Sequence, residues 1–116
     1  LFKNFLEFEC SICNRVLPTD LLVAAHIKPR SKCSTSERKN PNNVIPMCKL
    51  GCDEFFEKSY LIVDERGIVC TNKKRTISSE LKSILDSLSG SFCKYFNNET
   101  EKFFEYKRKS FKSNNF

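Results

Sequence analysis

A chain of 116 residues has room for one modest hydrophobic core and not for two. Twenty Lys and Arg stand against fourteen Asp and Glu, and the formal charge of +6 favours a polyanionic partner. No window approaches the roughly 18 uninterrupted apolar residues of a membrane-spanning helix, and no apolar leader opens the chain, so a cytoplasmic protein with no membrane contact is expected. Because residue 1 is Leu1 and not Met, the expectation is one domain, 1–116, belonging to a longer protein.

The opening LFKNFLEF spaces Leu1, Phe2, Phe5 and Leu6 at helical intervals and predicts a short amphipathic helix ahead of Cys10. CSICNRVLP reads as a knuckle and turn. LLVAAHI, from Leu21 to Ile27, is a short apolar strand that stops before Pro29. Lys28 to Asn43, KPRSKCSTSERKNPNN, is polar and basic with two prolines, which predicts loop throughout. VIPM is a second strand running into Cys48, and CDEFFEKSY predicts a short helix. YLIVDERGIVC predicts a hairpin turning at Gly67. In TISSELKSILDSLSG, Ile77, Leu81, Ile84, Leu85 and Leu88 share one helical face, with serines as caps and Gly90 as the stop. NNETEKFFEYKRKSFKS predicts a basic helix with a frayed end, Asn98 and Glu101 forming its capping box.

Seven cysteines in a reducing compartment do not form a disulfide framework, and an odd number leaves one over. Cys10 and Cys13 form C-x2-C, Cys48 and Cys52 form C-x3-C, and the 34 residues between the pairs suffice to return the chain to itself. Four soft thiolates delivered by two short loops suit tetrahedral Zn2+, which predicts a structural zinc site. Cys70 and Cys93 read as buried apolar thiols.

The order strand, His26, basic loop, Asn43, strand, cysteine pair, then a helix opening at Asp53 resembles the HNH endonuclease family. AAHIKPRS, NPNNVIPMC and GCDEFFEKSYLIVDERGIV carry the resemblance, with FFEYKRKSF similar to a terminal helix of restriction and other defence enzymes. The resemblance implies an α+β fold: a ββα-metal core over about 9–60 with structural zinc, a hairpin over about 60–71 and C-terminal helices over about 77–112. It implies metal-dependent hydrolysis of DNA phosphodiester bonds by His26 as general base, Asn43 as orienting residue and Asp53 as a ligand of catalytic Mg2+ or Mn2+, with His26 facing that ion or its water. The chemistry is apt, since an imidazole takes a proton from water at neutral pH and a carboxylate suits a hard cation.

The sequence departs from the family pattern at three places. Asp53 stands after Cys52 where many relatives have a histidine. An alternative alignment puts Cys52 in that column, but Cys52 is needed to complete four sulfurs. Ala25 replaces a ligand that many relatives carry before the base, which leaves Glu54 and Glu57 as candidates, and Lys107 replaces an expected histidine. Lys28, Arg30, Lys32, Arg38 and Lys39 lie between base and metal ligand in sequence, where cations neutralise phosphates. Arg30 is also a candidate for stabilising transition-state charge. Lys73, Lys74 and Arg75 extend the basic track. Cutting both strands with one small site implies a homodimer or two encounters. The rivals are a zinc-stapled DNA-binding module that has lost catalysis and a purely structural zinc domain.

Overall fold

The computed structural model describes residues 6–111, a mixed α and β structure in which three two-stranded antiparallel hairpins alternate with short helices. The first hairpin pairs β1 (Glu7–Glu9) with β2 (Val16–Pro18), Glu9 opposite Val16, and its turn is the first cysteine knuckle. Asn14 takes the left-handed conformation (φ 64°) that Asn tolerates better than most residues, while its N–H donates to the Cys10 carbonyl. The helix expected over LFKNFLEF is therefore not continuous into Cys10. Residues 1–5 lie outside the described residues, and from Glu7 onward the chain is extended, with Phe8 packed on the core and exposed Glu7 beside it. Strand alternation wins over helical spacing there because β2 offers a pairing partner.

The second hairpin joins β3 (Leu22–His26) to β4 (Val44–Cys48) in the register Leu22 to Cys48 and His26 to Val44. Ile45, Pro46, Met47 and Cys48 are all buried, so β4 is covered on both faces. Its outer edge is closed by Ser11, whose N–H and hydroxyl both donate to the Pro46 carbonyl and tie the first knuckle to the strand that carries Cys48. The chain then turns at Gly51 into α1, the helix Cys52–Glu57. Gly51 has φ +140°, a conformation that favours glycine, and a Cβ there would press on the Phe55 ring at 3.0 Å. Cys52 and Phe56, four residues apart, bury one face of this helix.

The third hairpin, β5 (Leu61–Val63) with β6 (Val69–Thr71), turns at Gly67 as the sequence predicts. Gly67 has φ +83°, its N–H donates to the Asp64 carbonyl, and the Asp64 N–H donates to Ile68, the pattern of a type I turn with a bulge. Helix α2 (Ser79–Leu88) packs on β6, with Ser78 accepting the Leu81 N–H as its cap. Leu85 is buried, but Ile84 is 49% exposed and does not join the expected apolar face. Helix α3 (Glu101–Ser110) packs on β5 and buries Phe103 and Phe104, and Phe104 meets Phe56 edge to face at 6.3 Å. Asn98 and Glu101 do not form the expected capping box. Asn97 instead accepts the N–H groups of Glu99 and Thr100, because the turn tightens one residue earlier. The expected frayed end, from residue 112, lies outside the described residues.

The basic segment is not loop throughout. Arg30–Lys32 and Pro41–Asn43 are 3-10 turns, and between them runs a five-residue helix, Thr35–Lys39, named here αL because it belongs to the loop. Ser34 accepts the Glu37 N–H while Glu37 accepts the Ser34 N–H, a reciprocal cap that holds a helix too short to hold itself. Cys93 is buried as expected, whereas Cys70, in the middle of β6, is only half-buried.

Candidate functional site

Two groups of side chains gather where the sequence predicts chemistry, and they differ in kind. The first is the cysteine quartet. The turn after β1 presents Cys10 and Cys13, the end of β4 presents Cys48, and α1 begins with Cys52, so that all four Sγ atoms lie within 4.8 Å of one another. Three of the four are buried and Cys13 is half-buried. The N–H groups of Ile12 and Cys48 point at the Cys10 sulfur, each at 3.4 Å. A hydrogen bond from Cys52, helped by these backbone donors, pulls the Cys10 thiol down to about 5 against the opposing effect of burial. Burial pushes Cys13 up to about 11, and the bond to Cys10 followed by burial pushes Cys52 up as well. The cluster thus favours one thiolate and resists further negative charge, the electrostatic situation that a bound cation relieves. The quartet is placed to bind a metal ion, and the donor set is all sulfur.

The second group lines a cleft of about 400 Å³ between the β3 end, the turn after it, α1 and α3. His26 contributes from the last position of β3, Pro29 and Arg30 from the following turn, Asp53 and Glu57 from successive turns of α1, and Lys107 from α3. Burial, then the neighbouring carboxylates of Glu57 and Glu54, raise the pKa of Asp53 above the ordinary carboxylate value. Glu54 does not line the cleft and pairs with Lys58 on the surface. Lys107 is 5% exposed, donates to the Glu57 carbonyl at 2.7 Å at the end of α1, and has its pKa lowered by burial. Cys52 turns to the sulfur quartet while Asp53 turns to the cleft, so adjacent residues serve the two groups separately. Among the described residues only the cysteines converge as a set of three or more metal-ligating side chains. His26, Asp53 and Glu57 share a cleft without converging in that way.

Asn43 is fully buried, and its side chain spans the base of the turn after His26. Its Oδ1 accepts the Lys28 N–H at 2.9 Å, its Nδ2 donates to the Lys28 carbonyl at 3.2 Å, and its own carbonyl accepts the Ile27 N–H at 2.9 Å. Asn43 therefore grips the two residues that follow His26. Of the five basic residues singled out in the sequence, Arg30, Lys32, Arg38 and Lys39 are exposed, and only Arg30 lines the cleft. Lys28 is half-buried, pairs with Glu37 at 3.0 Å and lies over the Tyr106 ring at 4.5 Å. Sequence reasoning missed the Glu37 partnership, although the S-x-x-E spacing of Ser34 and Glu37 signals the helix that positions it.

The chain was also compared with known proteins. No curated protein matches it significantly. A family model described as HNH endonuclease matches residues 10–64, a span that begins at the first cysteine of the quartet, contains His26, Asn43 and Asp53, and ends at the β5–β6 turn. With its two cysteine pairs converging and its histidine strand paired to the strand that follows Asn43, the stretch 10–64 is similar to the HNH endonuclease family.

Proposed function

We propose that this protein is a DNA endonuclease of restriction or defence type, in which β3, β4 and α1 form a ββα-metal core stapled by zinc. The observation that carries the reading is that His26 and Asp53, 27 positions apart in sequence, line the same cleft. Zinc is the ion for the quartet. A tetrahedron of metal–sulfur bonds of ~2.3 Å spaces its sulfurs ~3.8 Å apart, and the Cys13 and Cys48 sulfurs stand at 4.0 Å.

His26 acts as the general base, taking a proton from the water that attacks phosphorus. Asn43 holds the turn behind it, and Arg30 and Lys107 bring positive charge to the cleft, where the phosphorane accumulates negative charge. Asp53, with Glu57 one helical turn further on, would hold Mg2+ or Mn2+, whose chemistry there is to stabilise charge on the leaving 3′ oxygen. Their hard oxygens fit such an ion, which commonly takes one or two carboxylates and fills its remaining positions with water and phosphate. That pattern suits a cleft whose acids do not form a closed cage. Arg30, Lys32, Arg38 and Lys39 extend the contact along flanking phosphates. Seven unpaired thiols fit a reducing, cytoplasmic setting.

The test is plasmid cleavage by the purified chain with Mg2+ or Mn2+ and with a chelator that spares tightly bound zinc, alongside a salt-dependent DNA-binding titration. Metal-dependent nicking or linearisation is the expected result. The second reading, a DNA-binding module that has lost cleavage, is favoured by Ala25 beside His26 and by the dispersed acids of the cleft. It predicts salt-dependent binding with no cutting under any divalent ion.

A further inference from the structure

The spacing of the cysteines assigns nothing to Cys33, and Cys33 is not one of the converging quartet. It is nevertheless 7% exposed in a basic, polar segment where burial of a side chain has to be explained. Its Sγ lies 3.4 Å from the Pro29 carbonyl and 3.5 Å from the Lys28 carbonyl, and it accepts the Asn43 Nδ2 at 3.4 Å. The Cys33 backbone N–H donates to the Arg30 carbonyl at 3.1 Å, and the Lys32 N–H to Pro29 at 2.9 Å. Asn43 and Cys33 thus meet side chain to side chain and together hold the backbone of residues 27–30 from beneath, in a stretch that has no strand partner beyond His26.

We infer that Cys33 is a positioning residue: with Asn43 it fixes the turn that delivers His26 from one side and Arg30 from the other to the same cleft. Asn43 alone reaches Ile27 and Lys28. The Cys33 thiol extends the grip to Pro29 and its backbone N–H to Arg30, so the thiol seats the residue whose backbone holds Arg30 relative to His26. A thiol suits this place because sulfur is large enough to fill the space under the turn, accepts weakly from an amide and donates weakly to a carbonyl. Alanine keeps the backbone bond to Arg30, loses every polar contact of the side chain and leaves a void. Serine keeps the polarity with a smaller atom.

The catalytic consequence rests on the endonuclease reading, but the placement does not, and His26 makes the two separable because it is the only histidine in the chain. One imidazole gives one set of ring resonances, which reports the geometry of the turn whether or not the protein cuts DNA. The experiment compares Cys33→Ala and Cys33→Ser with the wild type in the zinc-loaded full chain, measuring the His26 ring resonances without added Mg2+ or Mn2+, thermal unfolding and plasmid cleavage. The expected result for Cys33→Ala is a displaced or broadened His26 signal, and a fall in kcat of roughly 10- to 100-fold, the cost of misplacing reacting groups by about an ångström. KM should change little, and Cys33→Ser should recover most of both. Should Cys33→Ala fail to fold, Cys33→Val, which fills the space without the polar contacts, decides: a displaced His26 signal with a slowed rate supports the assignment, a wild-type signal overturns it, and a displaced signal at unchanged rate overturns its catalytic part. An alanine variant that melts lower yet keeps the wild-type His26 signal overturns the inference and makes Cys33 packing only. If the wild type itself does not cut, the endonuclease reading falls while the resonances still decide the placement.

Discussion

The quartet and the cleft differ as a closed set of ligands differs from an open one. Four sulfurs from two turns and a helix start converge within 4.8 Å and are largely buried, and nothing in that arrangement leaves a position for substrate. The cleft has the opposite character: an imidazole, two carboxylates, a guanidinium and an ammonium spread around about 400 Å³, with room between them. A site that holds its ion for stability needs every position filled by protein, and one that does chemistry needs positions left over. The two meet at Cys52 and Asp53, so the first turn of one six-residue helix supplies both.

The largest effect should come from the quartet. Cys48→Ser, or stripping the ion with a strong chelator, should unfold the chain, since zinc binding in small domains carries ~10–16 kcal/mol of apparent free energy, more than the whole stability of most domains. Elemental analysis and thermal melts check it, and a folded protein without metal would break the contrast at its root. His26→Ala belongs to the other region and should leave zinc content, melting and DNA affinity unchanged while cleavage falls by about 10²–10⁴-fold. Wild-type cutting by that variant would remove the cleft from the mechanism.

Smaller effects divide the basic residues by their partners. Arg30→Ala or Lys32→Ala should weaken binding to unrelated sequences alike and lower the slope of log K against log salt by about one unit each. Lys28→Ala should change the slope less and loosen the turn more, because the Lys28 ammonium already holds Glu37, a bond that lifts the pKa of Lys28, while the Ser34 N–H and then the ammonium lower that of Glu37. Equal slopes for all three would mean that the ion pair opens when DNA arrives. The smallest expected effect is that of Asp53→Asn on stability. A carboxylate whose pKa is raised on folding is destabilising at neutral pH. That penalty is present in full above the folded-state pKa and disappears as pH falls below the ordinary value of 3.8. Asp53→Asn should therefore raise the melting temperature slightly at pH 7, leave it unchanged near pH 3, and abolish the response of activity to Mg2+ or Mn2+. A lower melting temperature at pH 7 would mean that Asp53 is held by contacts and not poised for a cation.

Where the sequence was legible, one local signal agreed with one tertiary partner. The cysteine spacings, the apolar runs ending at His26 and Cys48, the turn at Gly67 and the serine-capped helix all act within a few residues, and packing reinforces each. Legibility failed where the deciding partner is distant. Glu7 to Glu9 reads as helix until β2 pairs with it. Helix αL buries no residue, so no apolar period announces it, and only the Ser34–Glu37 spacing does. The burial of Asn43 and Lys107 has no local signature, because each is covered by a segment at least ten positions away.

Pro46 has a bearing on solubility. It stands in the middle of β4, opposite Ala24, and its carbonyl is taken by Ser11 on the side away from β3. A proline has no N–H, so at the centre of this strand the outer rim offers no donor and its acceptor is already engaged. A short, apolar strand with an open rim is a template for pairing with the same strand of another molecule. Here the residue that looks least suited to a strand blocks that template, and the chain can keep an almost wholly apolar β4 without inviting edge-to-edge aggregation.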